Sequence, residues 1–211
     1  MNKVESMFAG AADEFAFARD YLNYLSELIK TMDHKAIAKM IQCFEEARTH
    51  KRQIFFIGNG GSAATASHFA NDIGAGPRAW DNPYRAISLC DNVALITAIG
   101  NDHGYEQIFT RQLQMLMQPH DVVVGISASG NSPNIIAAME YAKTKHGKTV
   151  GLTGFDGGAL RKMVDISVHV QTATGEYGPV EDLHMVVDHL IGAYLMHKNK
   201  MGTGRVAKLT G

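Results

Sequence analysis

The chain has 211 residues, 45% of them hydrophobic, and a formal net charge of −1. That length suits one compact α/β domain with a full core, and the apolar content argues against disorder. A near-neutral balance leaves no electrostatic footprint for nucleic acid or an anionic membrane, so neither is expected as a partner.

The first residues carry early acids and no apolar stretch, so no signal peptide is read there. No apolar run reaches the roughly 18 residues of a membrane span. Cys43 and Cys90, the only two cysteines, lie in no CxxC motif. They read as free thiols in a reducing compartment, and the expected location is cytoplasmic.

Residues 1–50 read as a helical segment of the same domain, residues 51–200 as its core and residues 201–211 as a tail. From about Ala11 to His50 two helices are predicted. Phe15, Leu22, Leu25 and Ile29 recur at helical spacing in the first. Asp33 reads as the N-cap of the second, with Ile37, Met40, Ile41 and Phe44 on one face. Such an apolar pair packs either on its own sheet or against a partner subunit.

Strands and helices then alternate. Strands are predicted at 53–57, 85–89, 122–127, 149–153 and 166–170. Helices are predicted at 62–73, 92–99, 105–117, 133–145, 159–163 and 180–198. This pattern predicts a doubly wound, five-stranded parallel sheet flanked by helices, with ligands beyond the carboxyl ends of the strands. The tail has glycine and basic residues without periodicity, and is expected to be partly mobile.

Two turns stand out. After the apolar run Ile54-Phe55-Phe56-Ile57, the sequence reads Gly58-Asn59-Gly60-Gly61-Ser62 and then enters a helix. Backbone N–H groups and the helix N-terminus there favour an anion such as phosphate. The plain alternative is an ordinary tight βα turn. The spacing is not a dinucleotide fingerprint, and no Lys follows as in a Walker loop. The second turn, after 122–127, carries Ser127, Ser129, Gly130, Asn131 and Ser132 before Pro133. Its hydroxyls and free N–H groups form a nest able to hold phosphate oxygens, although serine-rich loops are often merely solvated.

GNGGSAATASHFA and GISASGNSPNIIAAMEYA resemble the two signatures of the sugar isomerase (SIS) domain family, closest to its phosphoheptose isomerases. The resemblance covers about residues 10 to 198. It implies interconversion of sedoheptulose 7-phosphate and D-glycero-D-manno-heptose 7-phosphate, and a homotetramer with active sites at subunit interfaces. It implies phosphate binding by Ser127, Ser129 and Ser132 with adjoining backbone at Asn131, and sugar contacts from Asn59, Gly60, Ser62 and Glu181. Asp102 is expected in a loop that the family places near the site, as a further substrate contact or equally in an orienting or helix-capping role. A zinc site is implied at His68, Asp72, Glu181 and His189, with the proton transfers at Asp72 and His189. The chain departs from the family twice, with Asp72 where the family has Glu and Glu181 where it has Gln. The family also contains non-catalytic phosphosugar-binding or protein-binding regulators, which stand as the alternative.

The chemistry of these residues can be read directly. His68 and Asp72, four apart, share a helix face and are acceptable zinc ligands. On the last helix Leu183, Val186, Val187, Leu190 and Tyr194 form an expected apolar side. Glu181, His184 and Asp188 gather opposite, and His189 sits about 80° from Glu181. A solvated polar face is the bland reading of that cluster. Asp72 is one methylene shorter than Glu, a shortfall that could cost on the order of 10²-fold in rate. Glu181, which unlike Gln can act as a base, and His184 are the spare candidates.

Overall fold

The computed structural model describes residues 1–209, with side chains as far as Met201. Three helices precede the sheet: α1 (Lys3–Gly10), α2 (Glu14–Lys30) and α3 (His34–Thr49). The first was not expected. Its signal is a capping box, in which Asn2 Oδ1 accepts from Glu5 N while Asn2 N donates to Glu5 Oε2. Asp33 caps α3 as expected, accepting from Lys35 N and Ala36 N.

The rest alternates as the pattern predicts: β1 (Gln53–Gly58), α4 (Gly61–Gly74), β2 (Arg85–Ser88), α5 (Val93–His103), a 3₁₀ turn at Tyr105–Gln107, α6 (Ile108–Leu116), β3 (Val122–Ser127), α7 (Pro133–Thr144), β4 (Lys148–Thr153), α8 (Gly158–Met163), β5 (Ile166–His169) and α9 (Tyr177–Leu209). All five strands are parallel in the order β2-β1-β3-β4-β5. Side chains alternate across the sheet and so build two cores. Ile54 and Phe56 face α3, α4 and α9, whereas Phe55 and Ile57 face α5, α6, α7 and α8. Phe44, Phe56 and Phe69 form an aromatic cluster in the first core, with the Phe56 and Phe69 rings stacked at 4.9 Å. Truncating one of them to Ala would cost about 3–5 kcal/mol.

The strand order reverses between β1 and β3, and this switch point opens a crevice at their carboxyl ends. Both glycine- and serine-bearing turns lie there, one after each strand.

Two expectations are corrected. α9 runs on to Leu209 through most of the expected tail, whose last residues, 210–211, lie outside the described ones. The polar side of α9 is not solvated: His184 and Asp188 are fully buried, beside Val180, Leu183, Val187, Ile191 and Leu195. Of the expected apolar side, Val186, Leu190 and Tyr194 are exposed. The helix packs beside α4 over the same face of the sheet, with one apolar stripe turned inward and another outward. In the N-terminal pair, Ile37, Met40 and Phe44 of α3 pack on the sheet, while Phe15, Leu22 and Ile29 of α2 are exposed. No described helix is long and apolar enough to cross a membrane.

Candidate active site

The first turn is built for close approach. Gly60, at φ 53°, is the N-cap of α4 and offers no side chain to its amides. A β-carbon on Gly61 would lie 2.2 Å from Glu181 Oε2, so only glycine lets the α9 carboxylate rest on the start of α4. Ser62, in the first turn of α4, is buried.

The second turn is held by its own hydroxyls. Ser127 Oγ and Ser132 Oγ lie 3.1 Å apart, and Ser127 Oγ accepts from Gly130 N. Ser129 Oγ accepts from Asn131 N, and Asn131 Oδ1 accepts from Ala159 N on α8. Ser132 is the N-cap of α7, ahead of Pro133, yet its hydroxyl caps no amide of that helix. The two turns are tied together by a reciprocal amide pair. Asn59 Nδ2 donates to Asn134 Oδ1, and Asn134 Nδ2 donates to Asn59 Oδ1, at 2.9 and 2.8 Å. Tyr105 OH also donates to Asn59 Oδ1. Sequence reasoning missed Asn134 and Tyr105; an asparagine directly after Pro133 at a helix start was the available signal for the former.

These residues border a cleft of about 140 Å³, lined by Asn59, Ser62, Ser127, Ser129, Ser132 and Glu181. That is below the ~300 Å³ of a pocket holding a whole small ligand, so it suits one end of a molecule. A second cleft, about 380 Å³, runs past Gly61, Thr65, His68 and Met185. Glu181 lines both. Its carboxyl is held above the usual range, first by burial and then by Asp182. A wider hollow of about 640 Å³ lies at the amino ends of the strands, bordered by Arg52, Val122 and Lys148. It is far from both turns and on the side of the sheet where such folds do not bind substrate.

Beyond Glu181, α4 and α9 bring His68, Asp72, Asp188 and His189 together, with one potential ligand atom from each all within 4.8 Å of one another. His68 Nε2 lies 3.5 Å from Asp72 Oδ2 and 3.8 Å from Asp188 Oδ2. Asp72 faces Gly192 of α9, its Cβ 3.6 Å from where a β-carbon on that glycine would stand. Both Asp188 oxygens are buried without a hydrogen-bond partner. Burial, and then the charge of Asp72, push the Asp188 carboxyl up to about 7. Of the four residues expected as ligands, the structure gathers His68, Asp72 and His189; Glu181 is outside this group and Asp188 is within it.

Two further expectations fall elsewhere. His184 is fully buried, and its Nε2–H donates to the carbonyl of Thr153, 3.3 Å away. Burial holds this imidazole down to about 4, so it stays neutral and away from the clefts. Asp102 is exposed near the end of α5, not in a loop; it accepts from Asn101 Nδ2 and lines neither cleft.

Residues 16–154 match the family described as the SIS domain. A phosphoheptose isomerase of Nitratidesulfovibrio vulgaris is 42% identical over 140 residues, 66% of each chain. One of Pelobacter propionicus is 38% identical over 167 residues, 78% of this chain and 88% of that one. The solved phosphoheptose isomerase GmhA from Neisseria gonorrhoeae superposes with a TM-score of 0.75 at 29% identity, over 85% of this chain and 95% of that one.

Proposed function

Because the chain belongs to the SIS domain family, and within it to the phosphoheptose isomerases, we propose that it interconverts sedoheptulose 7-phosphate and D-glycero-D-manno-heptose 7-phosphate. The observation that carries this reading is the position of Glu181. It forms a wall of the serine-lined cleft and of the cleft that reaches His68. Phosphate at one end and proton-moving groups at the other match a phosphosugar lying across Glu181.

Ser127, Ser129 and Ser132 take the phosphate, helped by amides at the start of α7. Asn131 braces that turn through Ala159, and Asn59 and Ser62, which line the cleft, face the sugar chain together with the intervening Gly60. From the ketose, a base removes a proton from C1. The C–H electron pair becomes the C1–C2 double bond, and the carbonyl pair passes to O2. A proton then adds at C2 while the O1 proton passes to O2, which leaves the aldehyde and a C2 hydroxyl. No oxidant or reductant is consumed. His189 and one of two carboxylates, Asp72 or Glu181, carry these transfers.

We assign a divalent metal, zinc, to the group at His68, Asp72 and His189. Imidazole and carboxylate donors suit it, and the partnerless buried oxygens of Asp188 favour a cation beside them. A bound metal supplies a Lewis acid for the sugar oxygens. We also assign a homotetramer. It is supported by the exposed stripe Phe15, Leu22 and Ile29 on α2 and by Val186, Leu190 and Tyr194 on α9. The free thiols Cys43 and Cys90 fit a cytoplasmic setting.

The test is turnover of sedoheptulose 7-phosphate by the purified protein. Conversion to the aldose supports the assignment. Binding without conversion would make the chain a phosphosugar-binding module instead.

A further inference from the structure

The resemblance would pair Glu181 with His189 on one ion, but the structure keeps them in different surroundings. They are eight residues apart on α9, so their backbones are separated by about 12 Å along the helix axis. The carboxylate of Glu181 rests on Gly61, at the start of α4. His189 meets His68 about two turns further along α4, and the carboxylates gathered with them there are those of Asp72 and Asp188. Asp188 is fully buried, both of its oxygens lack a partner, and Oδ2 is turned towards His68 Nε2 at 3.8 Å.

We propose that Asp188, and not Glu181, completes the metal-binding group with His68, Asp72 and His189, and that Glu181 is the catalytic base that takes the proton from the sugar carbon. This rests on the isomerase reading above. The two departures from the family pattern then belong together. Asp72 is short, but it faces Gly192 of α9 and its Oδ2 still comes within 3.5 Å of His68 Nε2, so it reaches the group from α4. It is thereby committed to the metal rather than to the sugar. Glu181 has no hydrogen-bond partner among the described residues and borders the serine-lined cleft, where a glutamine could neither take nor return a proton. In the ketose-to-aldose direction Glu181 accepts the C1 proton and delivers it at C2. The carboxyl ends as it began, and the hydroxyl proton moves separately from O1 to O2.

Zinc titration of the chelator-stripped protein against a chromophoric chelator separates the two assignments. Glu181→Gln is expected to bind zinc within about threefold of wild type, while its kcat on sedoheptulose 7-phosphate falls on the order of 10²-fold to 10⁴-fold. Asp188→Asn is expected to lose about 100-fold or more in zinc affinity, beyond what an outer partner costs. Should Asp188→Asn fail to fold, Glu181→Gln decides alone. Loss of zinc or an unchanged kcat in Glu181→Gln overturns the proposal. So does an Asp188→Asn protein that folds and holds zinc like wild type, or a wild type that binds no divalent metal. The titration needs no turnover. A wild type that binds zinc but converts no phosphosugar therefore overturns the isomerase reading, and the role of Glu181 with it, and leaves the ligand assignment decided.

Discussion

The imidazoles of His68 and His189 meet at their tips, with Nε2 to Nε2 at 3.2 Å, across 121 residues of chain. The rings are nearly perpendicular, at 74°. Two neutral imidazoles can stand this way with one Nε2–H donating to the other ring. They can equally turn both lone pairs on a shared cation. α4 and α9 pack so that the second arrangement has two carboxylates at hand, Asp72 and Asp188.

His189→Ala is therefore expected to lower zinc affinity by at least ~100-fold. His189 is exposed, so the metal-free variant should keep its melting temperature, with a change within about 0.5 kcal/mol. Equilibrium dialysis with zinc and a thermal melt check both halves. A variant that retains its zinc contradicts the site.

Replacing Ser129 and Ser132 together by Ala removes two hydroxyls from the phosphate end of the cleft. Hydrogen bonds to a charged group contribute about 1.5–3 kcal/mol each. KM for the phosphosugar should rise on the order of 10²-fold or more, with kcat changed far less. An unchanged KM would remove the nest from the account.

Most of the fold was legible, because hydrophobic period and turn residues both report local backbone geometry. β3 was expected at 122–127 and is found at Val122–Ser127. The two turns were legible for the same reason, since glycine and serine clusters mark where the chain must bend and offer its amides. α9 was not legible in the same way. A helical wheel ranks faces by polarity, and α9 buries His184 and Asp188 while exposing Val186, Leu190 and Tyr194. Which face turns inward is decided by its neighbours, α4 and the sheet. The placement of Asp188 rather than Glu181 beside His68 depends on the same packing, so one-dimensional spacing could not find it.

His184 gives a pH dependence of stability. Its folded pKa, about 4, is below the ordinary value of 6.5. The unfolded chain therefore takes up a proton that the buried ring refuses, and stability falls as pH drops through 6.5, levelling off below 4. Between pH 8 and pH 5 this group alone removes about 2 kcal/mol. His184→Gln keeps a donor for the Thr153 carbonyl and should flatten that part of the curve in chelator-treated protein. Parallel melting curves for wild type and variant would contradict it.

The exposed stripe on α2 sets the expectation for assembly. Leu22→Glu with Ile29→Glu places charge on side chains already 65% and 43% exposed in the single chain, so the fold should survive. Light scattering should show the mass of several chains for wild type and of one chain for the variant. A wild type that is monomeric at micromolar concentration contradicts the tetramer.

The most direct measurement follows sedoheptulose 7-phosphate with the purified protein in D₂O by NMR. The account predicts an aldehyde-derived C1 proton signal growing as ketose declines, with deuterium from solvent entering at C2 as the proton passes through a carboxyl that exchanges with water. An unchanged ketose spectrum, in a sample that binds the sugar phosphate, would contradict the isomerase.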